Sequence, residues 1–375
     1  MLKVLQIVPS VSKGDGIANV LVHYFENLNK DNIVFDFLIL NEASLHDKNN
    51  SFKDEITKLG GNIYYLGNPT RINEFSRKWR CFCSKHYKEY AFLENNLIFL
   101  GFYFKNAISR LGVKKVITHV HNPVYGDTML TNLRNGLFYH LTGSPLGNVL
   151  FSSSRESGIS LFSENRFNKP WYVINNAFKI ENYKFNNVWR TRIRKKMGWE
   201  GKYVIGHVGR FSPQKNQEFL IKVFAKTCEK RKDALLVLVG VGQDLTKIKR
   251  IVYKLNLQKK VVFLGTRNDV NKLLQGIDLF AFPSKFEGLG LAAVEAQISG
   301  VPCIISNKLP YEANIGHCKV LEVNHGIDAW SKEFINLKDS PRRLDGVELA
   351  RKKGFDINCE ARRLKEIYIH EILKN

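Results

Sequence analysis

Hydrophobic positions in the second half of the chain form short apolar runs separated by longer amphipathic stretches. Five runs rich in β-branched and aromatic residues predict buried strands at 203–208, 235–239, 261–264, 278–282 and 303–306. Residues 218–229 place apolar side chains on one side of a predicted helix. Strands that alternate with helices in this way predict an α/β fold with a parallel, doubly wound sheet.

The first half of the chain shows the same alternation with less regular spacing. It predicts a helix at about 17–28 and strands at 3–8, 35–40, 62–65, 116–119, 148–152 and 171–174. A chain of 375 residues is long for one core, so two domains are expected. We expect domains at 1–180 and 181–355, a hinge near 176–188, and an amphipathic C-terminal helix within 356–375.

Two carboxylates, Glu287 and Glu295, bracket a glycine-bearing turn that follows the strand at 278–282. A helix is expected to open near Gly290 and end before Gly300. Ligands of open α/β sheets bind at the carboxyl ends of the strands, where a helix start suits phosphate and carboxylates suit hydroxyls. A nucleotide sugar carries both groups. The alternative is a solvated loop acid followed by an ordinary helix acid.

The same residues resemble the E-x7-E signature of retaining GT-B glycosyltransferases, in particular family 4, whose bacterial members build capsule, exopolysaccharide and lipid-linked glycans. Residues 206–216 resemble that family's G-R-x-x-x-x-K segment, and residues 236–242 its L-V-G-x-G strand end. Residues 262–270 are similar to its base-facing loop, 14–18 to its glycine loop, and 119–122 to its H-x-H element. The resemblance covers nearly the whole chain.

The resemblance implies the GT-B fold, in which two Rossmann-like domains enclose a cleft and the C-terminal helix crosses back to the first domain. It also implies a retaining hexosyltransferase that uses a nucleotide sugar, usually linked to UDP, and a glycan or lipid-linked glycan as acceptor. Glu287 and His121 would be catalytic and contact the transferred sugar, and Glu295 would accept the ribose hydroxyls. The remaining donor-binding residues would be Gly14, Gly16, Arg210, Lys215, Arg267, Gly288, Leu289, Gly290 and Leu291.

The sequence predicts chemistry without a metal ion or a cofactor. It contains no D-x-D motif, and its histidines and cysteines lack metal-ligand spacing. The charge of the leaving diphosphate would fall to Arg210, Lys215, the helix start near Gly290 and backbone amides at 14–16.

The chain carries 57 Lys and Arg against 35 Asp and Glu, a net charge of +22 that favours anionic partners. Nucleic acid ranks last because no nucleic-acid-binding motif is present. The basic aromatic segment 71–90 has two interpretations of equal weight: Phe75 and Trp79 meet an anionic membrane, or they form a buried stripe. A second basic run, 190–196, is expected to be a charged face.

Six cysteines without a regular framework indicate reduced thiols, and the N-terminus reads as a strand rather than a signal peptide. We therefore expect a cytoplasmic protein with at most peripheral contact at the inner membrane face. Two other function classes remain open. One is a catalytically silent glycan-binding or partner-stabilising subunit; the other is an NAD-dependent oxidoreductase, weakened because both G-x-G segments end in Asn19 or Leu245 instead of glycine or alanine.

Overall fold

The computed structural model describes residues 1–47, 50–126, 129–141, 146–336 and 345–374. The chain forms two compact units. Unit 1 comprises Met1–Lys179 and Gly354–Asn375, and unit 2 comprises Ile180–Lys353. Within the described ranges, no helix is long and apolar enough to cross a membrane.

The sheet of unit 1 has seven parallel strands in the described part of the chain, in the order β3-β2-β1-β4-β5-β6-β7. Its strands are β1 (Leu2–Val8), β2 (Ile33–Ile39), β3 (Ile63–Tyr65), β4 (Phe92–Asn95), β5 (Lys115–Val120), β6 (Val149–Ser152) and β7 (Trp171–Val173). Helices connect these strands: α1 (Gly16–Leu28), α2 (Lys53–Lys58), α3 (Ile72–Lys85), α4 (Gly101–Phe104), α5 (Ala107–Leu111), α6 (Met129–Leu141), α7 (Arg155–Phe162) and α8 (Asn165–Asn168).

Helix α3 contains the aromatic residues that the sequence left open between two interpretations. Phe75 is 1% and Trp79 is 3% exposed, and their rings contact Tyr103 and Phe104. The aromatic stripe is therefore part of the core, and the hypothesis that Phe75 and Trp79 meet a membrane is wrong. The outer face of this helix is basic.

The sheet of unit 2 has six parallel strands among the described residues, in the order β10-β9-β8-β11-β12-β13. Its strands are β8 (Tyr203–Val208), β9 (Ala234–Val239), β10 (Val261–Phe263), β11 (Leu279–Phe282), β12 (Cys303–Ser306) and β13 (Cys318–Leu321). Its helices are α9 (Asn187–Met197), α10 (Gln217–Lys230), α11 (Leu245–Lys254), α12 (Val270–Gly276), α13 (Leu291–Ile298), α14 (Gly326–Asn336) and α15 (Gly346–Lys352).

Apolar clusters cover both faces of the unit 2 sheet, as parallel sheets require. Its central strands read as continuous apolar runs because both of their faces are buried. From β8 the chain proceeds outward through β9 and β10, and then returns to β11 on the other side of β8. The predicted doubly wound α/β fold is confirmed, and β8 and β11 form the switch point of this sheet.

The last helix, α16 (Ile357–Leu373), belongs to unit 1 and packs on α1. Asp356 caps its first turn by accepting from the backbone N–H of Asn358 at 2.9 Å. Its own residues Leu364, Ile367 and Tyr368 are buried. Short 3₁₀ helices complete the structure at Asn29–Asp31, Glu42–Leu45, Ile98–Leu100, Ile180–Tyr183, Tyr311–Ala313 and Val323–His325.

Candidate functional site

Two loops meet at the carboxyl ends of β8 and β11, where the crevice of a doubly wound sheet lies. The first loop follows β8 and the second follows β11. Lys285 N donates to the Gln214 carbonyl at 2.8 Å, and Gln214 Nε2 donates to the Phe286 carbonyl at 3.0 Å. Asn216 Nδ2 donates to the Pro283 carbonyl at 3.2 Å. These bonds hold the loops against each other.

An ion pair between two predicted site residues joins the two loops. Lys215 Nζ lies 2.6 Å from Glu287 Oε1, and Glu287 is 6% exposed. The same ammonium lies 4.9 Å from the centre of the Phe282 ring. Because a buried carboxylate is costly without a partner, Lys215 balances the charge of Glu287. The structure therefore brings these two predicted site residues together as an ammonium beside a carboxylate.

His207 supports the loop that carries Arg210. Its Nδ1 donates to the Ala281 carbonyl at 2.9 Å, and Gln217 Nε2 lies 3.3 Å from its Nε2. Gln217 Nε2 also donates to the Arg210 carbonyl at 2.9 Å. Burial, together with the positive charge of Lys215, lowers the pKa of His207 to about 4. The imidazole is therefore neutral and can accept from Gln217, while the Arg210 side chain is exposed.

Glycine is required where the loop after β9 passes the loop after β8. Gly240 has φ +129°, and a Cβ there would lie 2.2 Å from the Gly209 carbonyl oxygen. A Cβ on Gly242 would lie 2.3 Å from the Phe211 carbonyl oxygen. Only glycine permits this approach, which explains the G-x-G pattern here without a dinucleotide.

The segment Gly288, Leu289, Gly290 and Leu291 is the turn into α13. Its first three residues are buried, and Gly290 adopts φ +84°. Ala293 N and Val294 N donate to the Gly290 carbonyl. The helix begins at Leu291, directly behind the Glu287 loop.

Glu295 lies one turn into α13 and is half-buried. Tyr183 donates its hydroxyl to Glu295 Oε1 at 3.0 Å, and Gln275 Nε2 donates to the Tyr183 carbonyl at 3.2 Å. Burial raises the pKa of Glu295 to about 7, against the opposing effect of the Tyr183 hydrogen bond. This carboxyl therefore changes its charge near neutral pH.

Arg267 follows β10 and is engaged by a neighbouring acid. Its Nε and Nη2 donate to the two carboxylate oxygens of Asp269 at 2.8 and 2.7 Å. This two-point contact fixes the plane of the guanidinium. The role of Arg267 in donor binding stays a prediction. A donor would have to bind the N–H groups of Arg267 that do not contact Asp269.

A buried polar network lies at the centre of the unit 1 sheet. Glu94 on β4 accepts from His119 Nδ1 at 2.8 Å, from Gln6 Nε2 at 3.0 Å and from the Tyr368 hydroxyl at 2.7 Å. Asn96 Nδ2 donates to Gln6 Oε1 at 3.0 Å. The bond directions are mutually consistent because a carboxylate can only accept. His119 is thus a buried network residue, in keeping with a packing role.

His121 is positioned by the same network. Its Nε2 lies 2.8 Å from Asn96 Oδ1. Because Asn96 Nδ2 donates to Gln6, the oxygen of this amide is the atom that faces His121, and an amide oxygen can only accept. His121 Nε2 therefore carries the proton and Nδ1 carries a lone pair. Desolvation lowers the pKa of His121 well below its usual value, and the His119 ring lies 4.1 Å away between centres. A neutral imidazole of this tautomer can accept from a ligand hydroxyl.

The glycine loop before α1 uses its N–H groups internally. Gly14 N donates to Ser12 Oγ at 3.3 Å, and Asp15 N donates to the Ser12 carbonyl at 3.0 Å. Asp15 caps α1 by accepting from Ile17 N at 2.9 Å. This carboxylate places negative charge where an anion was expected. Diphosphate binding by Gly14 and Gly16 stays a prediction, and for Gly14 it requires the loop to rearrange.

Several residues that contact the predicted site residues were not predicted from the sequence. Glu94 and Asn96 lie at the end of a four-residue strand that was not predicted, and Tyr183 lies in a short 3₁₀ helix. The available signal was the run Phe92-Leu93 followed by three polar residues, which parallels the polar end of β5. In the described ranges, no three His, Cys, Asp or Glu residues cluster in a way that could hold a metal ion.

Part of the chain matches a known protein family, and several known proteins resemble it in sequence. Residues 190–353 match the family of glycosyl transferases group 1. EpsF of Bacillus subtilis (strain 168) is 26% identical over 98% of this chain and 96% of its own length. The UDP-Gal:alpha-D-GlcNAc-diphosphoundecaprenol alpha-1,3-galactosyltransferase of Escherichia coli is 31% identical over 46% of each chain.

Solved structures share the fold over the full length. Anabaena HepE, in complex with UDP and glucose, superimposes with a TM-score of 0.77 at 19% identity, covering 99% of this chain and all of HepE. WaaG, a glycosyltransferase involved in lipopolysaccharide biosynthesis, gives a TM-score of 0.73 at 15% identity, covering 99% of this chain and 100% of WaaG. The predicted GT-B fold is confirmed.

Proposed function

We propose that this chain is a glycosyltransferase that moves a sugar from a UDP-sugar to a growing lipid-linked glycan, supported by the match of residues 190–353 to the family of glycosyl transferases group 1. The setting would be bacterial capsular or exopolysaccharide biosynthesis, with retention at the anomeric carbon. The Lys215–Glu287 pair at the switch point of unit 2 carries this proposal. UDP is supported by the HepE complexes and by the UDP-galactose enzyme that resembles this chain.

Donor binding follows from the chemistry of the side chains. Glu295 accepts the ribose hydroxyls in its ionised form, while Arg210 and Lys215 hold the diphosphate. Arg267 and the turn from Gly288 to Leu291 complete the donor contacts, with Gly14 and Gly16 as further diphosphate contacts. An exposed guanidinium forks onto phosphate oxygens, and an ammonium acts as a mobile point charge.

Transfer requires negative charge to be stabilised on the leaving diphosphate while the sugar gains positive charge. Lys215 stabilises the negative charge on the diphosphate. Glu287 hydrogen-bonds the sugar hydroxyls and favours positive charge at the anomeric carbon. His121 accepts from a sugar hydroxyl through Nδ1. We propose that the reaction needs no metal ion or cofactor, and that the enzyme is cytoplasmic with peripheral contact at the inner membrane face.

The test is the variant Glu287→Gln, assayed for UDP-sugar hydrolysis and transfer and, by calorimetry, for UDP-sugar binding. Glutamine keeps the shape but removes the charge, so turnover is expected to fall at least about a hundredfold while the donor Kd changes little. Full activity in the variant would refute the catalytic role of Glu287. Wild-type protein that binds UDP-sugar but neither hydrolyses nor transfers it would indicate a catalytically silent subunit.

A further inference from the structure

Helix α6 in unit 1 presents an apolar face that the rest of the described chain leaves uncovered. Five large side chains on it are between 56% and 89% exposed: Met129, Leu130, Leu133, Leu137 and Leu141. At about 100° per residue they fall within an arc of roughly 120°. They therefore form one continuous stripe, hereafter the α6 stripe, and not scattered surface leucines.

The opposite face of α6 is anchored to the protein. Phe138 stacks on Tyr103 with ring centres 6.3 Å apart, and Asn135 Nδ2 donates to the Tyr125 carbonyl at 2.9 Å. Asn132 Oδ1 accepts from Tyr125 N at 2.7 Å. The helix is thus docked in the orientation that turns the stripe outward. The loop it holds begins at His121.

The exposed charge on α6 itself is positive, and the surrounding sequence contains more cations than acids. Helix α6 contains no Asp or Glu, and its exposed charged or titratable residues are Arg134 and His140. Residues 95–155 contain one acid, Asp127, and six Lys or Arg. Helix α3 packs on the same segment, through Trp79 on Phe104, and exposes Arg77, Arg80 and Lys85, while its one acid, Glu74, is paired with Lys78.

We propose that the α6 stripe docks on an anionic lipid bilayer. The leucines enter the boundary between headgroups and acyl chains, and the exposed Arg134 of the same helix binds an anionic headgroup. A second copy of the chain is a poorer occupant because each copy carries a net charge of +22. Membrane binding itself does not depend on catalysis. Its role in delivering a lipid-linked acceptor near His121 rests on the proposed function.

The experiment measures co-sedimentation of the full chain with vesicles of phosphatidylcholine, with and without phosphatidylglycerol. The test variant is Leu133→Ser with Leu137→Ser, and the matched control is Val188→Ser with Tyr253→Ser, two apolar residues of unit 2 that are at least as exposed. We expect the test variant to lose at least about tenfold in affinity for anionic vesicles, with the control unchanged. High salt should weaken wild-type binding.

The outcomes separate this proposal from its alternatives. Equal binding to neutral and anionic vesicles, or a test variant that binds like wild type, would overturn it. A dimer of the wild type in light scattering that the test variant abolishes, without vesicle binding, would assign the stripe to a second copy. Because both leucines are exposed, unfolding by heat should be unchanged. UDP-sugar hydrolysis in solution should also be unchanged, so loss of vesicle binding is distinguishable from failure of the proposed activity.

Discussion

The charge state of the Glu295 carboxyl makes the stability of the protein depend on pH. Its pKa is raised to about 7 because burial disfavours the anion. In the unfolded chain the same group titrates near 4.5. Between these pH values the folded state holds more protons, so the free energy of unfolding contributed by Glu295 falls as pH rises. In the proposed donor site, in contrast, the ribose hydroxyls bind the ionised form of Glu295.

Donor affinity is therefore expected to rise with pH. If only the anion of Glu295 accepts from the ribose, the affinity for UDP-glucose should increase about tenfold between pH 6 and pH 8. Calorimetry at three pH values measures this. A UDP-sugar is the right probe because its diphosphate lacks the terminal ionisation near pH 6 that free UDP would add.

The control is Glu295→Gln, which should bind UDP-glucose more weakly and without this pH dependence. The same variant should be relatively more stable than wild type above pH 7, because it removes the cost of ionising this half-buried carboxyl. A pH-dependent Kd that persists in the glutamine variant would contradict the assignment of Glu295 to the ribose.

Asn96 is expected to act as a positioning residue for His121. The variant Asn96→Ala removes the acceptor that fixes the proton on Nε2, so both tautomers and other ring orientations become accessible. We expect kcat to fall about tenfold with the donor KM nearly unchanged. In Asn96→Asp, a carboxylate beside the ring should raise the pKa of His121 and move the acidic limb of the pH–rate profile upward. An unaltered pH profile in Asn96→Asp would exclude this role.

Among the structural elements, helix α9 is held to the sheet of unit 2 by two arginines of its basic run, an arrangement hereafter called the α9 clamp. Arg190 Nη2 binds Asp278 Oδ1, and Arg194 Nη1 lies 2.9 Å from Asp278 Oδ2. Asp278 Oδ2 also accepts from Val204 N at 2.8 Å. One carboxylate at the start of β11 thereby ties α9 to β8 and β11. The expectation that 190–196 is only a charged face was wrong for these two arginines.

Asp278→Asn should destabilise unit 2 by about 3 kcal/mol, since two partly buried guanidiniums lose their anion. Urea unfolding measures the change. The matched control is Arg192→Ala on the exposed side of the same helix, where little effect is expected. Equal stability of the Asp278 variant and wild type would show that the α9 clamp contributes only orientation.

Elements with strong apolar runs were predictable from the sequence. Short strands, and the surroundings of amphipathic helices, were not. β8, β9 and β11 are buried on both faces, so their sequences are continuous and apolar. β4 was missed because its four residues end in Glu94 and Asn95, whose polarity is satisfied only by tertiary partners. Periodicity shows that a helix has an apolar face but not what covers it. For that reason the stripe of α3 was ambiguous, and α6 was not considered.

At the scale of the whole molecule, the candidate site residues are distributed over two units, and this explains why the site was harder to predict than the fold. The motif positions of unit 2 were visible in sequence order because Arg210, Lys215, Glu287 and Glu295 follow strands of one sheet. Unit 1 assembles its polar network through a hydrogen bond between residues 274 positions apart, from Tyr368 of α16 to Glu94. No local pattern encodes such a contact. The C-terminal helix is therefore a structural part of the His121 network.

This arrangement predicts a selective effect of Tyr368→Phe. Tyr368 is buried, and its ring centre lies 5.1 Å from that of Phe92, so phenylalanine keeps the packing and removes only the bond to Glu94. Losing a buried hydrogen bond to a charged group should cost about 1.5–3 kcal/mol in the unfolding of unit 1. Calorimetry of the full chain measures this, and a UDP-sugar identifies the unit 2 transition as the one that it raises.

The control is His370→Ala on the exposed side of the same helix. If α16 positions His121 through Glu94, Gln6 and Asn96, Tyr368→Phe should also reduce kcat while leaving the donor Kd unchanged, whereas His370→Ala should do neither. A variant that lowers only the unit 2 transition would contradict the assignment of α16 to unit 1. Reduced stability with wild-type kcat would restrict Tyr368 to folding and remove it from the positioning of His121.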